Sequence, residues 1–171
     1  MLVGFIIFDI PNTPSNEKVH SVYWHHYPKY QLFCTKCTCT KPVYDASLAK
    51  KLGADQYGMK KYVMAFLKSG PNRLQDSAAR MQLQMAHLKN ITRLANEGKL
   101  VVAGPFLDDQ PIRGIFIFNV ETLEEAKKLT ETDPAIKAGT LIMELHPFYC
   151  SAALMEVTNI HSKLQNKSIT D

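Results

Sequence analysis

Apolar residues recur every three to four positions between Met81 and Ala95, which is the period of a helix packed on a core. With 100° per residue, Met81, Leu83, Met85, His87, Leu88, Ile91, Leu94 and Ala95 fill one side, and Gln82, Lys89, Arg93, Asn96 and Glu97 fill the other. Gly98 stands where a helix stop is expected, and Asp76 or Ser77 stands where a cap is expected. His87 lies inside the apolar stripe, between Leu83 four residues before it and Ile91 four after it.

Lys61–Lys68 (KYVMAFLK) has the pattern of a strand, and both of its alternating sets are apolar: Tyr62/Met64/Phe66 and Val63/Ala65/Leu67. Gly70-Pro71-Asn72 breaks it. Leu100–Ala103 predicts a second strand, ended by Gly104-Pro105, and Gly114–Val120 a third, again apolar on both faces. Thr122-x-x-Glu125 is a capping-box signature opening a helix with Leu123, Ala126 and Leu129 inward. Asp133-Pro134 starts a single helical turn, with Asp as cap and Pro at the first position, and Gly139 ends it. Thr140–Leu145 predicts the last strand, which His146-Pro147-Phe148-Tyr149 leaves; residues 152–165 predict a terminal helix. Upstream, Tyr44–Leu52 predicts a short helix and Gly53–Lys60 a loop.

The order is β-α-β-β-α-β, the ferredoxin-like α+β sandwich, with two helices on one face of a four-stranded antiparallel sheet. The second face is then bare. Leaving roughly ten apolar side chains wet would cost on the order of 1.5–3 kcal/mol each, so the pattern predicts a homodimer through the open sheet face.

The 171 residues suffice for one domain with its own core, and the net charge of +4 is spread along the chain. No Lys/Arg run with interleaved aromatics suggests nucleic acid, and no apolar run approaches a membrane span. Residues 2–8 are apolar but lack a basic flank and stop at Asp9. That makes a poor signal peptide and leaves the compartment open, the cytoplasm being the default. Residues 1–42 hold no persistent period, and 1–57 are read as a poorly ordered extension, 58–156 as the α+β domain and 157–171 as a helix and tail. Cys34, Cys37 and Cys39 crowd into CTKCTC; with His20, His25 or His26 they have ligand types for zinc, but no second paired knuckle follows. Thiols in a loose leader are the plainer reading, and no metal or cofactor is expected. Cys150 stands apart from them.

His87-Leu88-x-x-Ile91, Glu97-Gly98-Lys99-Leu100, Ala103-Gly104-Pro105 and Asp133-Pro134-x-x-Lys137-Ala138-Gly139 resemble the YCII-related domain family over about residues 58–156. The resemblance implies the dimeric α+β barrel form of the ferredoxin-like fold and an enzyme built on a histidine and an aspartate, which match His87 and Asp133. It attributes dehydrochlorinase activity on a chlorinated hydroxyquinone to one branch and no reaction to most. The DDQPIRGIFIF and ELHPFY segments resemble a subgroup of larger members.

Each candidate residue also has a plainer reading. His87 is either a core imidazole satisfied by a carbonyl or a general base tuned near neutral pH. Asp133 is either a helix cap or the carboxylate that fixes the imidazole tautomer. Asp108 and Asp109 are solvated loop residues or substrate-binding carboxylates; Arg113 pairs with one of them or with an anionic substrate. His146 and Tyr62 line the same cavity or pack at the core or dimer seam. Two functions follow. One is a small cofactor-free lyase or isomerase with His87 and Asp133 as an acid–base pair acting on a small organic molecule. The other is a non-catalytic ligand-binding or dimerisation module.

Overall fold

The computed structural model describes residues 43–169. The leader with its cysteines and histidines, and the expectation that it is poorly ordered, lie outside the described residues up to Pro42. Ten elements follow in order: α1 (Ala46–Leu52), β1 (Met59–Ser69), α2 (Ser77–Asn96), β2 (Leu100–Pro105), β3 (Ile112–Phe118), α3 (Leu123–Thr130), α4 (Pro134–Lys137), β4 (Leu141–Ser151), a 3-10 turn (Ala152–Glu156) and α5 (Val157–Leu164).

The sheet runs β2-β3-β1-β4 with every neighbouring pair antiparallel. This order, with helices after β1 and β3, is the ferredoxin-like fold read from the periodicities. The local signals act as expected. Asp76 caps α2 through Ala79 N at 2.8 Å. Thr122 Oγ1 accepts from Glu125 N at 3.2 Å, which caps α3, and donates to Glu125 Oε2 at 3.1 Å, so the two residues of the capping-box pattern are paired through the hydroxyl. Gly98, at φ +67°, ends α2 in the left-handed conformation that disfavours a side chain.

One face of the sheet carries the main core. Val63, Ala65 and Leu67 of β1 and Phe116 and Phe118 of β3 pack with Leu94 of α2 and Ala126 of α3. The opposite face carries a smaller cluster of Tyr62, Val101 and Ile117, covered in part by Leu154 and Met155 of the chain's own 3-10 turn. The open face expected from the pattern is therefore roofed at one end, because the C-terminal segment folds back over it.

Several element bounds differ from the reading of the sequence: β1 begins at Met59, inside the expected loop, β2 runs on to Pro105, and β3 spans Ile112–Phe118 where the pattern predicts Gly114–Val120. β4 does not end at Leu145: His146, Pro147, Phe148 and Tyr149 continue it opposite Met64, Val63, Tyr62 and Lys61. β4 is an edge strand, where alternate N–H groups have no ladder partner to lose, so a proline is tolerated. The inward arc of α2 is also rotated. His87, Asn90 and Leu94 are its buried residues, whereas Met81 is 70% exposed.

Candidate active site

Asp133 is placed by its own cap. Its Oδ1 accepts from Ala135 N at 2.9 Å, which begins α4 at Pro134. That geometry turns the second oxygen toward α2, where Oδ2 lies 2.7 Å from His87 Nδ1. Both side chains are buried, at 8% and 1% exposure. The cap and the imidazole partner are thus one carboxylate using a different oxygen for each task. An ionised carboxylate only accepts, so the proton of this bond sits on Nδ1 and the lone pair on Nε2. The imidazole also stacks on Phe116, with centroids 6.0 Å apart and ring planes 15° apart.

A polar network holds the preceding residue. Arg93 Nη2 donates to Asn90 Oδ1 at 2.8 Å and to Thr132 Oγ1 at 3.0 Å, tying the α3–α4 junction to α2 one turn beyond His87. The sequence reading passed over Asn90. Its signal was position: three residues after His87, it shares that side of the helix. Nδ2 of Asn90 is the one side-chain nitrogen or oxygen sealed from solvent without a partner among the described residues. Nε2 of His87 makes no hydrogen bond among the described residues.

A cavity of about 690 Å³ is lined by neighbours of the pair, although neither His87 nor Asp133 itself lines it. Leu83 and Gln84 of α2 line it one turn before His87, and Ala135 lines it next to the Asp133 cap. The far wall is the 69–75 segment, fastened to the turn after α4. Gly70 N donates to Thr140 O at 2.8 Å, Asn72 N to Gly139 O at 3.1 Å, and Asn72 Nδ2 to Ala138 O at 2.7 Å. A Cβ on Gly70 would stand 2.1 Å from Gly139 O, so only glycine permits this approach.

The family model for the YCII-related domain matches residues 61–148, just over half of the 171-residue chain. The chain belongs to the YCII-related domain family. His87 and Asp133 both fall within the matched segment. No curated protein matches the chain. Among solved structures, it is similar to the 5-chloro-2-hydroxyhydroquinone dehydrochlorinase from Burkholderia phenoliruptrix AC1100, solved in complex with 2,5-dihydroxybenzoquinone. The identity is 27%, over 52% of this chain and 93% of that one, with a TM-score of 0.39. The fold assignment here rests on strand order and not on that likeness.

Within this YCII-related domain the other candidate residues are dispersed. Arg113, at the start of β3, lines the cavity of about 690 Å³, with Nη1 2.8 Å from Asp109 Oδ1. Asp108 lines a separate cavity of about 460 Å³ with Phe106 and Ile112. Tyr62 and His146 do not join His87. They lie on the sheet face away from α2, because Tyr62 and Met64 alternate with the core residues Val63 and Ala65, and His146 pairs with Met64. Tyr62 donates to Ser151 O at 3.1 Å, and burial pushes its phenol up to about 12, so it stays protonated. His146 Nε2 lies 2.9 Å from Glu144 Oε1, and its ring meets Phe66 edge-on. Lys68, the first cause, and His146 hold Glu144 below its ordinary pKa. Arg73 and Arg80, which also line the cavity, were not singled out from the sequence. For Arg80 the signal was available: seven residues before His87, it stands on the same helical face.

Proposed function

We propose that this domain is a small acid–base enzyme of lyase or isomerase type, with His87 as general base and Asp133 as its orienting partner. What supports the reading is the buried 2.7 Å contact: with Asp133 ionised the shared proton belongs to Nδ1 and Nε2 is the basic nitrogen, one helical turn from Leu83 and Gln84 of the cavity lining. In this scheme Nε2 takes a proton from an acidic C–H of a small organic substrate, leaving the electron pair as an enolate or phenolate-stabilised carbanion. Expulsion of a leaving group from the adjacent carbon gives a lyase. Return of the proton to another carbon gives an isomerase. The Asp133 carboxylate stabilises the imidazolium formed on the way.

The test needs only the first half of that chemistry. Candidate enolisable carbonyl and phenolic ligands are selected by thermal shift, then incubated with protein in D2O. Wild type is expected to exchange the acidic C–H for deuterium. His87→Gln is expected to retain binding and to lose exchange by about 10²–10⁴-fold, the usual contribution of a positioned base. Equal exchange by both proteins would leave a binding module and no base.

We also propose that the uncovered end of the second sheet face pairs with another copy of the chain. Support comes from Met64, Phe66 and Ile115, half-buried on that face, and Ile142, which is 49% exposed at its edge. Sedimentation equilibrium at micromolar concentration is expected to give twice the chain mass. Ile142→Glu is expected to give the single mass, and a wild-type monomer would refute the pairing.

A further inference from the structure

We propose that the cavity lined by Leu83 and Gln84, one helical turn before His87, selects small organic anions, its arginines taking a carboxylate or phenolate while the ligand's body lies on the apolar floor between Arg80 and His87. The placement of the reactive end at His87 rests on the acid–base reading above; the anion preference does not.

The charge of the lining is one-sided. Among the described residues, Arg73, Arg80 and Arg113 line the cavity and no carboxylate does. All three are exposed, so water and salt screen their mutual repulsion, but together they make the volume favourable for an anion that several guanidinium groups reach at once. Their internal partners leave most of that charge uncompensated. Arg73 Nη1 donates to Gly70 O at 2.7 Å and Asn72 O at 3.2 Å, neutral carbonyls that orient the guanidinium without cancelling its charge. Arg80 has no side-chain hydrogen bond or ion pair among the described residues. Arg113 Nη1 donates to the neutral Gln110 carbonyl at 3.4 Å and to Asp109 Oδ1 at 2.8 Å, and the Asp109 side chain is fully solvated and screened by water and salt.

The geometry fits a ligand with two distinct ends. Arg80 and His87 are seven residues apart, so they share a face within about 20° and are separated by about 10 Å along the axis. Leu83 lies between them, and Leu74 and Leu141 add apolar floor. Arg73 is fixed relative to the acid–base pair, because the Gly70–Asn72 segment is fastened to the turn that follows Asp133. Guanidinium groups present planar forks that suit a carboxylate, and their apolar stems leave room for a ring.

The test compares benzoate with benzamide, which share a shape and differ in charge, by titration of the full chain in low salt followed by amide NMR. Benzoate is expected to bind about tenfold or more tightly than benzamide, the difference between a charge-assisted and a neutral hydrogen bond. The shifts should centre on Leu83, Gln84 and Ala135. Arg80→Gln should reduce the preference, and Arg80→Gln/Arg113→Gln should remove it. Arg80 is exposed, so the single variant folds even where the double one does not. Equal binding of the two probes, no benzoate binding, shifts elsewhere, or a preference untouched by Arg80→Gln would each overturn the proposal. The preference should survive in His87→Gln. If anions are preferred but no C–H exchange is ever seen, the base role alone fails.

Discussion

Asp133 serves two partners with two oxygens, and two substitutions separate them. Asp133→Ala removes both. Loss of the cap to Ala135 costs about 0.5–2 kcal/mol. Leaving the buried His87 Nδ1 without its partner costs about 1–3 kcal/mol more. The expected loss is thus about 2–5 kcal/mol, a large fraction of a typical domain's stability. Asp133→Asn keeps the shape and remains a good cap. The Ala135 N–H requires an acceptor, so the amide oxygen must stay at the Oδ1 position. The amide nitrogen then faces His87 and donates to Nδ1. The imidazole has to move its proton to Nε2, which becomes a donor in place of a base. Denaturant unfolding should show a loss of no more than about 1 kcal/mol in Asp133→Asn. Long-range ¹⁵N–¹H spectra of the imidazole should show protonated Nδ1 in wild type and protonated Nε2 in the variant. Deuterium exchange should vanish in Asp133→Asn although the fold survives. An unchanged tautomer, or equal destabilisation by Asn and Ala, would refute this account of the site.

Four further outcomes follow from the same structure. Gly70→Ala places a Cβ 2.1 Å from Gly139 O and should cost at least about 1–3 kcal/mol by denaturation, with the amides of residues 69–75 losing hydrogen-exchange protection. Gly98→Ala meets no atom within 4 Å and should cost only the left-handed backbone penalty of about 1–2 kcal/mol. Asp55 accepts from the Tyr149 hydroxyl, the first cause of its lowered pKa, and from Met59 N and Tyr57 N. These bonds stabilise the fold fully above the ordinary value of 3.8 and are lost as pH falls through the lower folded value; Tyr149→Phe should move the Asp55 carboxyl titration upward by NMR. Tyr62→Phe should lose the bond to Ser151 O, about 1 kcal/mol, and leave exchange at His87 unchanged, since the two residues lie on opposite sheet faces.

The chain's local physics determined its elements. Asp76, the Thr122–Glu125 box, Asp133-Pro134 and Gly98 act within a few residues of themselves, so their roles were legible without a fold. The strand and helix periods fixed the β-α-β-β-α-β order, and helical phase placed His87 inward. Tertiary structure decided what no local pattern contains. The apolar stripe of α2 is wider than the surface it docks on; contact with the sheet selected the arc of His87, Asn90 and Leu94 and left Met81 in water. Strand alternation grouped Tyr62 with Met64 and Phe66. Because both faces of β1 are apolar, only helix packing decided that Tyr62 and His146 turn away from His87. The contact between His87 and Asp133 spans 46 residues, and the meeting of Arg73, Arg80 and Arg113 around one cavity joins three separate segments. Such encounters depend on how distant elements pack, and a periodicity, which records only neighbours, does not encode them.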